Sequence, residues 1–318
     1  MERPLIHIGY HKTASSWLQF QLFNSTSKVF APLSTRDKGQ SSLAKHLIYS
    51  EGDYLLNPFF DNEIRFNQEL ESILDQRNFD NKIPVLSQER LSGNPHSSGF
   101  DASIIARRIQ RFFPDGRIFI MIREQNSWIL SNFFEYVSRG GGTDSINTYL
   151  TKKYDGKRPG FSPHHLEYHH LISDYQQKFG VENVLVIPFE LFVRDKDLFL
   201  QRLSNFIERD LSAFTQAKFD VVVNKKENQY STYALRHLNP ILKPTSLNHN
   251  SLLQNTITRK VAKITRNIIQ RVVPTQFDLQ TRKKMRNHID EWTKSRYHES
   301  NKKTEQLTGL HLSEFGYQ

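Results

Sequence analysis

Residues 4–18 read Pro4-Leu5-Ile6-His7-Ile8-Gly9-Tyr10-His11-Lys12-Thr13-Ala14-Ser15-Ser16-Trp17-Leu18. A short apolar run (Leu5, Ile6, Ile8) gives way to a small polar loop from Lys12 to Ser15. That loop opens an apolar helix carrying Trp17, Leu18 and Leu22. A strand, a loop with a lysine and hydroxyls, then a helix start make an anion-binding arrangement. The free backbone N–H groups of the first helical turn and the positive end of the helix dipole face the anion. Lys12 adds a full charge, and Thr13, Ser15 and Ser16 add hydroxyl donors. The nucleotide loop GxxxxGK[ST] needs its Lys after the second Gly. Here Ala14 stands where that Gly would be and Lys12 precedes it, so that loop fails on order. An ordinary strand–helix turn with Ser15 as N-cap is the plain alternative.

A second segment points the same way. Arg117-Ile118-Phe119-Ile120-Met121-Ile122-Arg123 is a continuous apolar run of buried-strand type, ending in Arg123. A helix follows from Glu124-Gln125-Asn126-Ser127, with Trp128, Ile129, Phe133, Phe134 and Val137 as its apolar residues. Ser131 lies eight residues after Arg123, near the second helical turn. Arg123 is thus expected at the carboxyl edge of a sheet, where ligands bind in open α/β folds. The plain readings are a surface ion pair for Arg123 and a neutral helix residue for Ser131.

Lys12-Thr13-Ala14-Ser15-Ser16-Trp17-Leu18 resembles the 5′-phosphosulfate loop of sulfotransferases that use 3′-phosphoadenosine 5′-phosphosulfate (PAPS). In many members the small residue is Gly, and Ala14 departs from that. Arg123 with Ser131 resembles the 3′-phosphate site of the same family. Phe179–Glu190 looks like the strand after a long helix in bacterial sulfotransferases, and Leu310–Tyr317 is similar to the closing segment of that branch. The resemblance implies an α/β fold: a parallel sheet flanked by helices, the P-loop-like sulfotransferase fold, with a helical C-terminal extension. It implies PAPS as cofactor, adenosine 3′,5′-bisphosphate as product, and no metal. By the same resemblance Lys12 stabilises the bridging and leaving oxygens. Thr13, Ala14, Ser15, Ser16 and Trp17 form the 5′-phosphosulfate loop, and Arg123 and Ser131 hold the 3′-phosphate. The cytosolic branch closes that site with a late Arg-Lys-Gly, which is absent here. Asn224–Ser231 occupies the corresponding region, making Lys225, Lys226 and Asn228 candidate cofactor contacts, with solvated loop residues as the default.

The acceptor must lose a proton. The strand Ile83–Ser87 runs into Gln88-Glu89-Arg90, so Glu89 falls just past a strand's carboxyl end, on the edge shared with Lys12 and Arg123. Some glycan sulfotransferases use a glutamate at a comparable place. Glu89 is therefore the candidate general base, and His11, beside Lys12, the second. A salt bridge from Glu89 to Arg90 or Arg123 is the structural alternative.

Composition bounds the rest. The 318 residues suit one large α/β domain with an added helical part, or two small domains. We expect a core over residues 1–235 and a helical extension over residues 236–318, packed on it. The chain has no cysteine, which excludes disulfides and thiol nucleophiles and fits a reducing compartment. Residues 1–30 carry no signal-peptide pattern, and no stretch approaches a membrane span. A cytoplasmic location is expected. The net charge of +10 favours anionic partners. Nucleic acid has no supporting motif. A cell-surface glycan or a small-molecule secondary metabolite is the expected acceptor.

Candidate parallel strands are Leu5–Ile8, Ile83–Ser87, Arg117–Ile122 and Val184–Ile187, with helices between them. Asp101 is the expected N-cap of the helix that ends before Pro114, Ser162-Pro163 opens another, and Gly180 closes it. Residues 31–80 read as mixed helices and loops, and Gly140-Gly141-Gly142 as a flexible loop. His165 and His169, four apart, could share a metal, although surface or core histidines are the ordinary case. Over residues 252–272, Leu253, Ile257, Val261, Ile264, Ile268 and Val272 recur at helical steps among Arg and Lys. Such a basic helix packs on the domain, or contacts an anionic membrane surface or an acidic polymer. The rival functions are a nucleotide kinase or NTPase, and a non-catalytic binder of sulfated or phosphorylated polymers.

Overall fold

The computed structural model describes residues 2–33, 42–49, 63–76, 79–138, 141–152, 160–214 and 275–318, with positions 233, 236, 237, 239 and 264. Lys225, Lys226, Asn228 and all but one residue of the basic stretch 252–272 lie outside the described residues.

The apolar runs are strands. β1 (Leu5–Gly9), β2 (Phe30–Pro32), β3 (Ile83–Ser87), β4 (Arg117–Ile122) and β5 (Val184–Pro188) form one sheet in the order β2-β3-β1-β4-β5. Every pairing is parallel. The intervening helices are α1 (Ser15–Trp17), α2 (Ser42–Ile48), α3 (Glu63–Gln76), α4 (Ala102–Phe112), α5 (Gln125–Ser138), α6 (Ile146–Thr151), α7 (Tyr168–Phe179), α8 (Phe189–Arg194) and α9 (Lys196–Ile207). Two helices close the chain, α10 (Thr275–Thr293) and α11 (His298–Thr308). None of the described helices is long and apolar enough to cross a membrane.

Strand side chains alternate between two cores, as a period of two requires. Ile6, Ile8, Leu86, Ile118, Ile120 and Ile122 join the core beneath α4, α5 and α7. Leu5, Ile83, Val85, Phe119 and Met121 join the core beneath α1, α8 and α9. Both faces are apolar, which is why these strands read as continuous runs.

After β1 the chain moves towards β2, whereas after β4 it moves towards β5. The β1 and β4 carboxyl ends are therefore the switch point of the sheet, where a crevice opens in folds of this class. The sheet thus places the loop after Gly9 beside the corner after Ile122.

Asp101 takes the N-cap position of α4, as expected, but its side chain makes no cap hydrogen bond. Its carboxylate accepts from Arg90 Nη2 and from the backbone N–H of Asn94. Ser162-Pro163 opens only a 3-10 turn (Pro163–Leu166) capped by Ser162, and α7 begins afresh at Tyr168. Ser15 is not the N-cap of α1: Ala14 is, with no side-chain bond.

The C-terminal helices grip the β4 corner. Arg286 of α10 donates from Nη1 to Ser127 Oγ at 2.6 Å and pairs with Glu124 at 3.0 Å. Glu124 in turn accepts the N–H groups of Asn126 and Ser127 at 2.9 and 2.8 Å, capping α5. Tyr317 OH donates to Glu190 Oε2 at 3.1 Å, and Glu190 Oε1 accepts the N–H of Glu124 at 3.1 Å.

Candidate functional site

The loop after β1 has an unusual backbone. Lys12 and Ala14 both adopt left-handed φ, +67° and +64°. This conformation costs a residue with a Cβ roughly 1 kcal/mol. It lets the chain reverse and start α1 within a few residues. α1 runs straight into a π-helical turn, Leu18–Leu22, closed by Phe23 N–H on Leu18 O at 2.7 Å. Such turns concentrate at functional sites. Gln19, within it, donates to Ser87 O at the end of β3 at 3.0 Å.

The loop residues divide by role. Thr13 is fully buried and its hydroxyl donates to Tyr10 O, so it braces the loop from within. Ser15 Oγ is buried and has no hydrogen-bond partner. Ser16 is partly exposed. Trp17 turns its ring into the core against Phe192, 5.0 Å away, so only its backbone belongs to the loop. Gly9 keeps this region open: a Cβ there would lie 2.7 Å from Ser15 Oγ and 3.0 Å from Thr13 Oγ1.

Arg123 reaches across from the end of β4. Its Nη1 donates to the backbone carbonyl of Lys12 at 2.8 Å, and its guanidinium lies 4.8 Å over the Phe189 ring. Its Nε is buried without a partner. Burial lowers its pKa, opposed by Glu190, Tyr168 and Glu124. Tyr168 OH donates to the Arg123 carbonyl and fixes the corner.

Sequence reading did not identify Glu135. Lys12 Nζ lies 3.2 Å from Glu135 Oε2, with side-chain exposures of 32% and 24%. Glu135 is four residues beyond Ser131 on α5, so both project from neighbouring turns of one helix face. That spacing was the only signal available, and a lone glutamate on a buried helix carries little weight.

Three imidazoles gather nearby. His11 is held down to about pKa 3 by burial, opposed by Glu135 and reinforced by His96, Arg90 and Lys12. Burial lowers His96 to about 4, again opposed by Glu135. His165 falls to about 3 through burial and the proximity of His11. All three are uncharged at neutral pH. The Nδ1 atoms of His11 and His96, and Nε2 of His165, are buried with no hydrogen-bond partner. His165 and His169 do not share a site: His165 packs on Tyr10 and Trp128, whereas His169 Nδ1 meets Ser300 Oγ. Among the described residues no group of three or more His, Cys, Asp or Glu could hold a metal.

Glu89 begins the 3-10 turn after β3, and its Oε2 is buried. Arg90 pairs with Asp101. Ser131 is partly buried on α5. The structure thus joins Lys12, Arg123 and Glu135 by direct contact, and places Glu89 and Ser131 on the surrounding elements.

The donor set suits a phosphorylated ligand. Ser15 Oγ and Arg123 Nε are buried donors without partners, at the loop that starts α1 and at the end of β4.

No protein-family model matches this chain. No curated protein matches it. Among solved structures it is similar to a sulfotransferase from Alicyclobacillus acidocaldarius, with 18% identity and a TM-score of 0.48, the match covering 81% of this chain and 100% of that one. It is also similar to a sulfotransferase domain from the curacin biosynthetic pathway, with 13% identity and a TM-score of 0.40, over 82% of this chain and 96% of that one.

Proposed function

We propose that this protein is a sulfotransferase that moves a sulfuryl group from PAPS to a hydroxyl or amine, with a cell-surface glycan as the favoured acceptor and a small-molecule metabolite as the second. The observation that carries this reading is the 2.8 Å bond from Arg123 to the Lys12 carbonyl. It brings the loop after β1 beside the end of β4 at the switch point, where one adenosine ligand phosphorylated at both ends would reach each. The net charge of +10 supports an anionic cofactor and suits an acidic glycan. We place the protein in the cytoplasm, where this cofactor would be met.

PAPS, when bound, supplies a sulfuryl group already activated by its phosphate leaving group. Catalysis then needs positioning and charge stabilisation more than covalent chemistry. The N–H groups of Ser15 and Ser16 and the Ser15 hydroxyl would hold the 5′ end. Arg123 and Ser131 would hold the 3′-phosphate. Lys12 would offset charge on the departing oxygen. Glu89, at the end of β3, would take the acceptor proton. His11 is the second candidate, and its low pKa keeps it in the proton-accepting form at neutral pH.

The reading is tested with sulfur-labelled PAPS and a panel of glycans and small alcohols and amines. Wild type is expected to transfer label to at least one acceptor, and Lys12→Met to lose about 10²–10³-fold in rate, the usual cost of one charge-stabilising donor. Transfer that survives Lys12→Met unchanged would remove Lys12 from the mechanism.

A further inference from the structure

The Lys12–Glu135 contact has a fixed member and a mobile one. α5 is held at its start by the Glu124 cap and Arg286, and along its length by Trp128, Ile129 and Phe133, all fully buried. Glu135 therefore stands on a rigid element. The Lys12 backbone is equally fixed, by its left-handed φ and by the bond from Arg123 to its carbonyl. What remains free to move is the four-carbon stem of Lys12, which carries a compact charge that rotates at little cost. Both partners are partly exposed, so water screens the pair and it is readily exchanged.

We infer that Glu135 is a positioning residue that competes with the bound cofactor for Lys12, so that the Lys12 ammonium exchanges a carboxylate partner for the cofactor's anionic groups. This rests on the reading that the loop binds PAPS or its product. Glu135 keeps the ammonium near the loop while no anion is present, and lowers cofactor affinity by the fraction of molecules in which the pair is closed. A screened pair of this kind corresponds to about two- to tenfold in apparent affinity.

The test is a double-mutant cycle by calorimetry with adenosine 3′,5′-bisphosphate at low salt, on the full-length wild type, Glu135→Gln, Lys12→Met and the double variant. Glu135→Gln is expected to tighten binding about two- to tenfold when Lys12 is present, and to change it less than about twofold in the Lys12→Met background. Unchanged or weaker binding by Glu135→Gln overturns the inference. So does equal tightening in both backgrounds, which would assign the effect to the general field of the carboxylate. If Glu135→Gln fails to fold, Glu135→Asp, with its shorter reach, must still bind more tightly than wild type, and weaker binding overturns the inference. Absence of binding by wild type overturns the sulfotransferase reading instead, and this inference with it.

Discussion

Arg123 and Lys12, 111 residues apart in sequence, are joined by one hydrogen bond from the guanidinium Nη1 to the backbone carbonyl at 2.8 Å. The bond links the carboxyl ends of β1 and β4, which pair over all of β1, from Leu5↔Arg117 to Gly9↔Met121. Any ligand touching both ends meets a preformed frame. The cofactor reading depends on this frame more than on either motif.

Arg123 should be sensitive even to a charge-conserving change. Lysine keeps the positive charge but lacks the planar fork that reaches a carbonyl while stacking on Phe189. Arg123→Ala is expected to weaken adenosine 3′,5′-bisphosphate binding by about 10- to 100-fold, the range for a lost charge-assisted hydrogen bond. Arg123→Lys should lie nearer to Ala than to wild type. Titration calorimetry decides, and wild-type affinity in Arg123→Lys would contradict the geometric role.

Ala14 sits at φ +64°, a conformation that glycine adopts without penalty. Ala14→Gly should therefore raise stability by about 0.5–1 kcal/mol, and Ala14→Val should lower it by more than about 1 kcal/mol. Urea unfolding of the variants checks the sign. A destabilised glycine variant would mean that the loop is not strained at this position.

The chain should lose stability in acid well before its carboxylates titrate. His7 is fully buried, and burial lowers its pKa from 6.5 to about 3. His165 is lowered from 6.5 to about 3 as well. Below pH 6.5 the unfolded chain binds these protons, whereas the fold refuses them until about pH 3. The unfolded state thus holds more protons within that window, and stability falls as pH falls. The urea midpoint should drop steeply between pH 7 and pH 5, and His165→Phe should flatten the slope. An unchanged midpoint across that range would show that the two imidazoles are not sequestered.

Arg286 links α10 to the start of α5 through Ser127 and Glu124, and is held by Asp290 on its own helix. With Arg286 about one-third exposed, Arg286→Ala should cost only about 1 kcal/mol. It should nevertheless weaken bisphosphate binding several-fold, because the loosened corner carries Arg123. Loss of stability with no change in affinity would separate the extension from the site.

The sequence disclosed the elements buried on both faces. β1, β3, β4 and β5 were legible because a parallel strand packed between two helical layers is apolar at most positions on both faces. β2 was not: Phe30–Pro32 is three residues long at the sheet edge, too short to show a period. Lys12 and Arg123 were legible because each stands at the end of such a run. Glu135 was not, since its meaning comes from a contact 123 residues away in sequence. The π-helical turn after Trp17 and the gathering of His11, His96 and His165 arise from packing between separate segments, which a local pattern does not record.

The central claim is tested most directly by titrating adenosine 3′,5′-bisphosphate into the wild-type protein without metal, beside ATP with Mg²⁺. The account predicts that the bisphosphate binds more tightly than ATP and that Arg123→Ala removes that preference. Tighter binding of ATP with Mg²⁺, or no binding of either nucleotide, would contradict it.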